Sequence, residues 1–152
     1  PESDLLLRLA DQSLLIEEFL VEEFTSKRLK ADVFTKETAS VKLHVHCHQK
    51  AVSNAKVTFD LINLIPNYKV TLINSGCCGM AGSFGYEKEH YELSMKMGEL
   101  RLFKSIRNSD SNTIIVANGT SCRHQIADGT DKLALHPVQL LEQSLLPSEA
   151  WV

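Results

Sequence analysis

Val41-Lys42-Leu43-His44-Val45-His46-Cys47-His48 is the stretch that decides the fold. Residues 41–46 alternate branched apolar side chains with basic ones, the pattern of a strand, and a cysteine flanked by histidines follows at once. The same order returns further on. Residues 68–73 read as a second strand and lead into Gly76-Cys77-Cys78-Gly79. Residues 113–117 read as a third and lead into Asn118-Gly119-Thr120-Ser121-Cys122. Residues 132–135 read as a fourth and lead into His136-Pro137.

Helical spacing fills the gaps between these strands. Val52, Val57, Leu61, Leu64 and Ile65 mark a helix over 52–65 that Pro66 stops. Leu93, Met97, Leu100 and Phe103 mark a long helix over 87–107. A short helix follows Cys122, and a last one spans 138–145 with Pro137 in its first turn. Strands separated by helices of this length predict an α/β fold: three layers, with a mostly parallel sheet covered by helices on both faces.

Residues 1–40 read differently, as an N-terminal helical segment or connector, leaving 41–152 as the α/β domain. Asp4 is placed to cap a helix through the leucines that follow, and Ser13 to cap a second helix if the first does not continue. Leu15, Phe19, Leu20 and Phe24 form the expected apolar stripe of that second helix. Glu17, Glu18, Glu22 and Glu23 form its expected solvated face. Residues 27–40 read as a polar loop.

The 152 residues suit one domain, and 43% hydrophobic with 23% charged residues is ordinary globular composition. A net charge of −3 without a basic stripe argues against a nucleic-acid partner. No apolar run reaches the roughly 18 residues that span a bilayer, and no secretory signal is evident, so the expected location is cytoplasmic. The chain opens on Pro1-Glu2-Ser3-Asp4 without a Met, which reads as the interior of a longer polypeptide. Asn118-Gly119-Thr120 fits the glycosylation pattern, but nothing else in the sequence indicates secretion.

Four cysteines are too few for a disulfide scaffold at this length, and away from a secretory context such residues bind metal or react. In open parallel sheets, ligands bind beyond the carboxyl ends of the strands. Cys47, Cys77, Cys78 and Cys122 all follow expected strands, so they are expected at one sheet edge as one site. Three chemistries compete there. Zinc takes four tetrahedral Cys or His ligands, but its usual paired C-x-x-C spacing is missing. An iron–sulfur cluster takes thiolates and accommodates neighbouring Cys77 and Cys78 more easily than a single ion. A thiol–disulfide exchange pair is the third. A lone buried cysteine is usually just a small hydrophobe.

His48 and His124 are candidate ligands, His124 because it lies two residues beyond Cys122. Strand alternation sets His44, His46 and His48 on one side with Cys47 opposite, unless the strand ends near Cys47. His136 is placed to support a ligand, while His90 and Met97 on the long helix read as surface and core. Gly76, Gly79, Gly82 and Gly85 around the cysteine pair suit close backbone approach to a ligand, and match neither nucleotide-binding glycine pattern.

Cys47, Cys77-Cys78-Gly79 and Cys122 together resemble the cysteine-rich CCG domain of the heterodisulfide reductases and of the iron–sulfur proteins of glycolate and lactate oxidation. Gly76-Cys77-Cys78-Gly79-Met80-Ala81-Gly82-Ser83-Phe84-Gly85, Asn118-Gly119-Thr120-Ser121-Cys122-Arg123-His124-Gln125 and His136-Pro137 are most similar to the version at the C-terminus of FAD-linked oxidases. The resemblance runs from about residue 41 to the end. It implies an α/β domain holding an iron–sulfur cluster (4Fe-4S, non-cubane in the heterodisulfide reductases) or, at some such motifs, zinc. It also implies upstream flavin and ferredoxin-like domains in the same polypeptide, passing electrons from a 2-hydroxy acid such as D-lactate or glycolate to an acceptor. The family pattern ends in C-x-x-C, whereas Gln125 stands at the last position here. No residue of this chain is expected to be catalytic by itself, because the flavin carries the hydride chemistry.

Overall fold

A computed structural model describes residues 2–147 of the chain. Its centre is a four-stranded, all-parallel sheet in the order β2-β1-β3-β4. The strands are β1 (Ala39–His44), β2 (Tyr68–Leu72), β3 (Ile114–Ala117) and β4 (Ala134–Leu135). Leu43 sits opposite Leu72 on one side and Val116 on the other.

Alternation along β1 divides the core. Val41 and Leu43 face an apolar cluster with Leu61 and Ile62 of α4 (Ala55–Ile62) and Leu140 of α8 (Pro137–Gln143). The opposite face carries Ile115 and Ala117 against Leu102, Phe103 and Ile106 of α6 (Leu102–Arg107) and Ile126 of α7 (Thr120–Thr130). Helices on both faces make the three layers that alternating strand and helix patterns predict.

Several element boundaries differ from expectation. The helix expected over 52–65 is the shorter α4, started at Asn54, which accepts the Lys56 amide, and a separate helix α3 (Cys47–Val52) precedes it. α4 ends before Pro66 is reached, and Asn67 takes a left-handed turn with φ 64°. The long helix expected over 87–107 breaks into α5 (Tyr91–Leu100) and α6 at Arg101, whose φ of −143° is not helical. That break changes the phase. Leu93 and Leu100 end up exposed, while Ser94 and Gly98 turn inward. A side chain at Gly98 or Gly129 would overlap the Phe103 ring, so the two glycines are what lets that ring enter the core.

The N-terminal helices are α1 (Glu2–Gln12) and α2 (Ile16–Thr25). Ser13 does not cap α2. Its hydroxyl donates back to the Leu9 carbonyl at 2.8 Å, and the Glu18 carboxylate accepts the Leu15 amide instead. The buried face of α2 is also not the expected stripe. Phe19 is exposed, and Leu20, Val21 and Phe24 pack on the core beside a buried Glu17. Residues 17, 20, 21 and 24 are a regular helical face, and Glu17 joins it because the Asn118 amide reaches its carboxylate at 3.4 Å. The stretch 27–40 is likewise not purely polar loop. Ala31–Val33 form a 3₁₀ turn, and Phe34 is buried, stacked 5.7 Å from Phe24 and bridged to Leu145.

Candidate metal centre

The carboxyl edge of the sheet is where the chain leaves β1, β2, β3 and β4 in turn. β1 stops at His44, and the chain turns at His46, whose Nδ1 accepts the His48 amide at 3.0 Å. Cys47 therefore opens α3 rather than continuing a strand, and period-two alternation no longer governs where its sulfur lies. β2 stops at Leu72, and Cys77 and Cys78 lie in the irregular stretch after it. Cys122 sits in the first turn of α7.

The sulfurs fall into two adjoining pairs. Cys78 and Cys122 are buried, their sulfurs within 4.8 Å of each other, while Cys47 and Cys77 are more open and act on each other electrostatically. All four thiols are free. The Cys78 Sγ, the Cys122 Sγ and a ring nitrogen of His44 lie within 4.8 Å of one another. A backbone amide also points at sulfur: Gly79 donates to Cys77 Sγ at 3.3 Å.

The electrostatics follow from this pairing. The Cys122 thiol donates to Cys78 and draws the Cys78 pKa down to about 4 against the cost of burial, helped by His44 and the Met80 amide. Cys122 is correspondingly pushed up, first by holding that proton and then by burial. Cys47 is raised by burial and by its neighbour Cys77.

Metal-free protein should accordingly carry one thiolate at pH 7. Its ultraviolet absorption should vanish in Cys78→Ser and titrate away as the pH falls through about 4. The unfolded thiol ionises at about 8.5. The unfolded chain thus binds more protons between these values, and this group makes stability rise with pH across that window. Thiolate absorption appearing only above about pH 8 would contradict the pairing.

Glycine and glutamine build the cradle. Gly79 takes φ 107°, and a side chain there would overlap the Ser94 carbonyl. Gln125, where the expected pattern has its last cysteine, donates to the Cys78 carbonyl at 3.2 Å and to the Ser94 hydroxyl at 2.8 Å. It holds the loop of the cysteine pair against α5 and α7 without offering a sulfur.

The histidines divide by role. His124, an expected ligand candidate, has its Nδ1 2.7 Å from the Tyr86 hydroxyl. His48 is exposed, its ring 6.1 Å from that of His46. His136 caps α8 by accepting the Val138 amide at 3.2 Å, as His46 caps α3. Burial lowers the pKa of both caps, which keeps them neutral acceptors. His90 pairs with Glu87 at 2.8 Å and stacks on Phe84. His44 is the functional candidate that sequence pattern did not single out. Its only local signal is a basic residue on an inward-facing strand position.

A cavity of about 350 Å³ is lined by His46, His48, Gln49, Asn118 and His136. Its floor is a buried polar network in which the Asn118 amide donates to Gln49, and Gln49 donates to Thr58 at 2.9 Å. A second cavity of about 210 Å³ lies beside Cys77 and is lined by Ser75, Met97 and Leu102.

Among known proteins, the chain is similar to one component of the anaerobic glycerol-3-phosphate dehydrogenase of Escherichia coli K12, at 34% identity over 105 residues. That match covers 69% of this chain and 26% of that component. It is also similar to D-2-hydroxyglutarate dehydrogenases: 36% identical over 73 residues to that of E. coli K12, and 28% over 105 residues to that of Pseudomonas putida KT2440. These matches cover 48% and 68% of this chain, and 7% and 10% of those enzymes. The chain thus spans about a quarter or less of the curated relatives it matches. No family model and no solved structure matches it.

Proposed function

We propose that this chain holds an iron–sulfur cluster through Cys47, Cys77, Cys78 and Cys122 and serves as the electron-transfer domain of a FAD-linked oxidoreductase acting on a 2-hydroxy acid. The observation that carries this reading is the gathering of four free thiols at one sheet edge, the buried Cys78–Cys122 pair with the more open Cys47–Cys77 pair beside it. Thiolates are what such a cluster requires, and amide hydrogen bonds to sulfur are among the means by which a protein sets its potential. Two adjacent cysteines in one loop suit a centre with several metal atoms. The bound cluster would supply one-electron relay, and the chain's own part is to hold four sulfurs and their amide donors in place.

The relatives described above are named dehydrogenases, which supports an oxidoreductase as the parent enzyme. D-2-hydroxyglutarate is itself a 2-hydroxy acid, so the relatives that bear its name support that substrate class, whereas glycerol 3-phosphate, named by the other relative, is an alcohol without a carboxylate. The flavin and the ferredoxin-like clusters belong, in this reading, to upstream parts of the same polypeptide. Among the described residues no helix is long and apolar enough to cross a membrane. The domain is assigned to the cytoplasm, reaching any membrane only through its electron acceptor.

One observation favours a second reading. His44, Cys78 and Cys122 fit within 4.8 Å, a spacing compact enough for a single zinc ion that braces the loops. Anaerobic purification followed by iron, sulfide and zinc analysis separates the two. A brown protein with iron and sulfide in stoichiometric amounts is the expected result. A colourless protein with one zinc establishes the second reading instead. Absence of any metal after reconstitution, with Cys77 and Cys78 exchanging as a disulfide, refutes both.

A further inference from the structure

We propose that His44 is itself a ligand of this centre, binding through Nε2 beside Cys78 and Cys122. The proposal rests on the metal-centre reading above and adds a nitrogen donor to its sulfurs. His44 lies on the last residue of β1, on the strand face opposite Val41 and Leu43, and is 1% exposed. Its Nδ1 is 2.7 Å from the Ser75 hydroxyl. Its Nε2 is the one buried side-chain nitrogen or oxygen among the described residues that has no hydrogen-bond partner. Buried polar atoms are nearly always paired, so an orphan of this kind calls for a ligand.

The geometry says which ligand. A ring nitrogen of His44 and the two sulfurs lie within 4.8 Å of one another. If Nδ1–H donates to Ser75, the lone pair on Nε2 is left facing the thiols. A second hydrogen bond from the far ring nitrogen is the usual support of a metal-bound histidine, since it sets the tautomer and the ring plane. Ser75 is itself 7% exposed and sits on the loop that carries Cys77 and Cys78. The anchor of the histidine and the cysteine pair therefore move together. Imidazole with thiolate is a donor set that transition metals accept readily. Gln125 offers no sulfur at the end of the cysteine pattern, and His44 supplies a further donor from the other side of the site.

Cobalt(II) is the probe, added anaerobically to the chelator-stripped chain. Wild type should bind it with thiolate-to-metal charge-transfer absorption. His44→Gln should bind about a hundredfold more weakly or worse, beyond the lower end of the loss typical for a group that only supports a ligand. His44→Cys should recover affinity and add charge-transfer intensity from one more sulfur. The loaded wild type gives a readout that needs no variant: one hyperfine-shifted, exchangeable imidazole N–H signal, from the Nδ1 proton held by Ser75. Equal affinity in His44→Gln, or no such shifted signal, overturns the ligand role while leaving the cysteine centre standing. Failure of wild type to bind cobalt(II) at all overturns the metal-centre reading, and this inference falls with it.

Discussion

Cys77→Ser and Cys78→Ser are each expected to lose the metal centre, with iron and sulfide per chain dropping to near zero after anaerobic reconstitution. The two residues contribute differently. Cys78 is buried beside Cys122 and His44, and Cys122 draws its pKa down. Cys77 is more open, takes the Gly79 amide at 3.3 Å, and pairs with Cys47. A centre spanning both pairs needs both sulfurs, because a serine hydroxyl remains protonated where a thiolate is required. A zinc ion on His44, Cys78 and Cys122 needs only Cys78 of the vicinal two, so Cys77→Ser would be nearly silent. A thiol–disulfide pair would lose exchange activity in either variant and contain no metal in any. Iron, sulfide and zinc measured in parallel on both variants separate these cases. Unchanged iron in both would end the cluster reading. The samples must stay anaerobic, since exposed thiolates oxidise readily.

Phe103→Ala is expected to destabilise the metal-free chain by about 3–5 kcal/mol, the range for removing a fully buried aromatic ring. The ring is 1% exposed and packs over Gly98 and Gly129, which have no side chains to collapse into the vacated space. Phe103 belongs to the same apolar cluster as Cys78, Met80 and Cys122. Loss of the ring therefore removes support beneath the buried thiol pair as well as apolar burial. Chemical denaturation of the chelated protein is the measurement. Wild type should still unfold cooperatively, because two apolar clusters flank the sheet without any metal. A change under about 1 kcal/mol would mean that α6 is not fixed against the sheet.

Sequence by itself determined the α/β class. Alternating runs at 41–46 and 68–73 and the continuous apolar run at 114–117, separated by helical spacing, admit few solutions other than a parallel sheet with helices on both faces. It also determined that each cysteine follows a strand, since chain order and turn residues are local properties. What periodicity could not supply was helix phase. α2 turns Glu17 inward and Phe19 outward because the Asn118 amide, 101 residues away in sequence, reaches the carboxylate. The break at Arg101 rotates α6 relative to α5, so Phe103 is buried while Leu100 is not. Only tertiary structure decided which sulfurs pair, that Gln125 ties the Cys78 loop to Ser94, and that His44 comes to lie beside Cys78 and Cys122. Those relations join residues 30 to 78 positions apart (47 with 77, and 44 with 122), and a one-dimensional pattern records spacing along the chain, not proximity across a folded sheet edge.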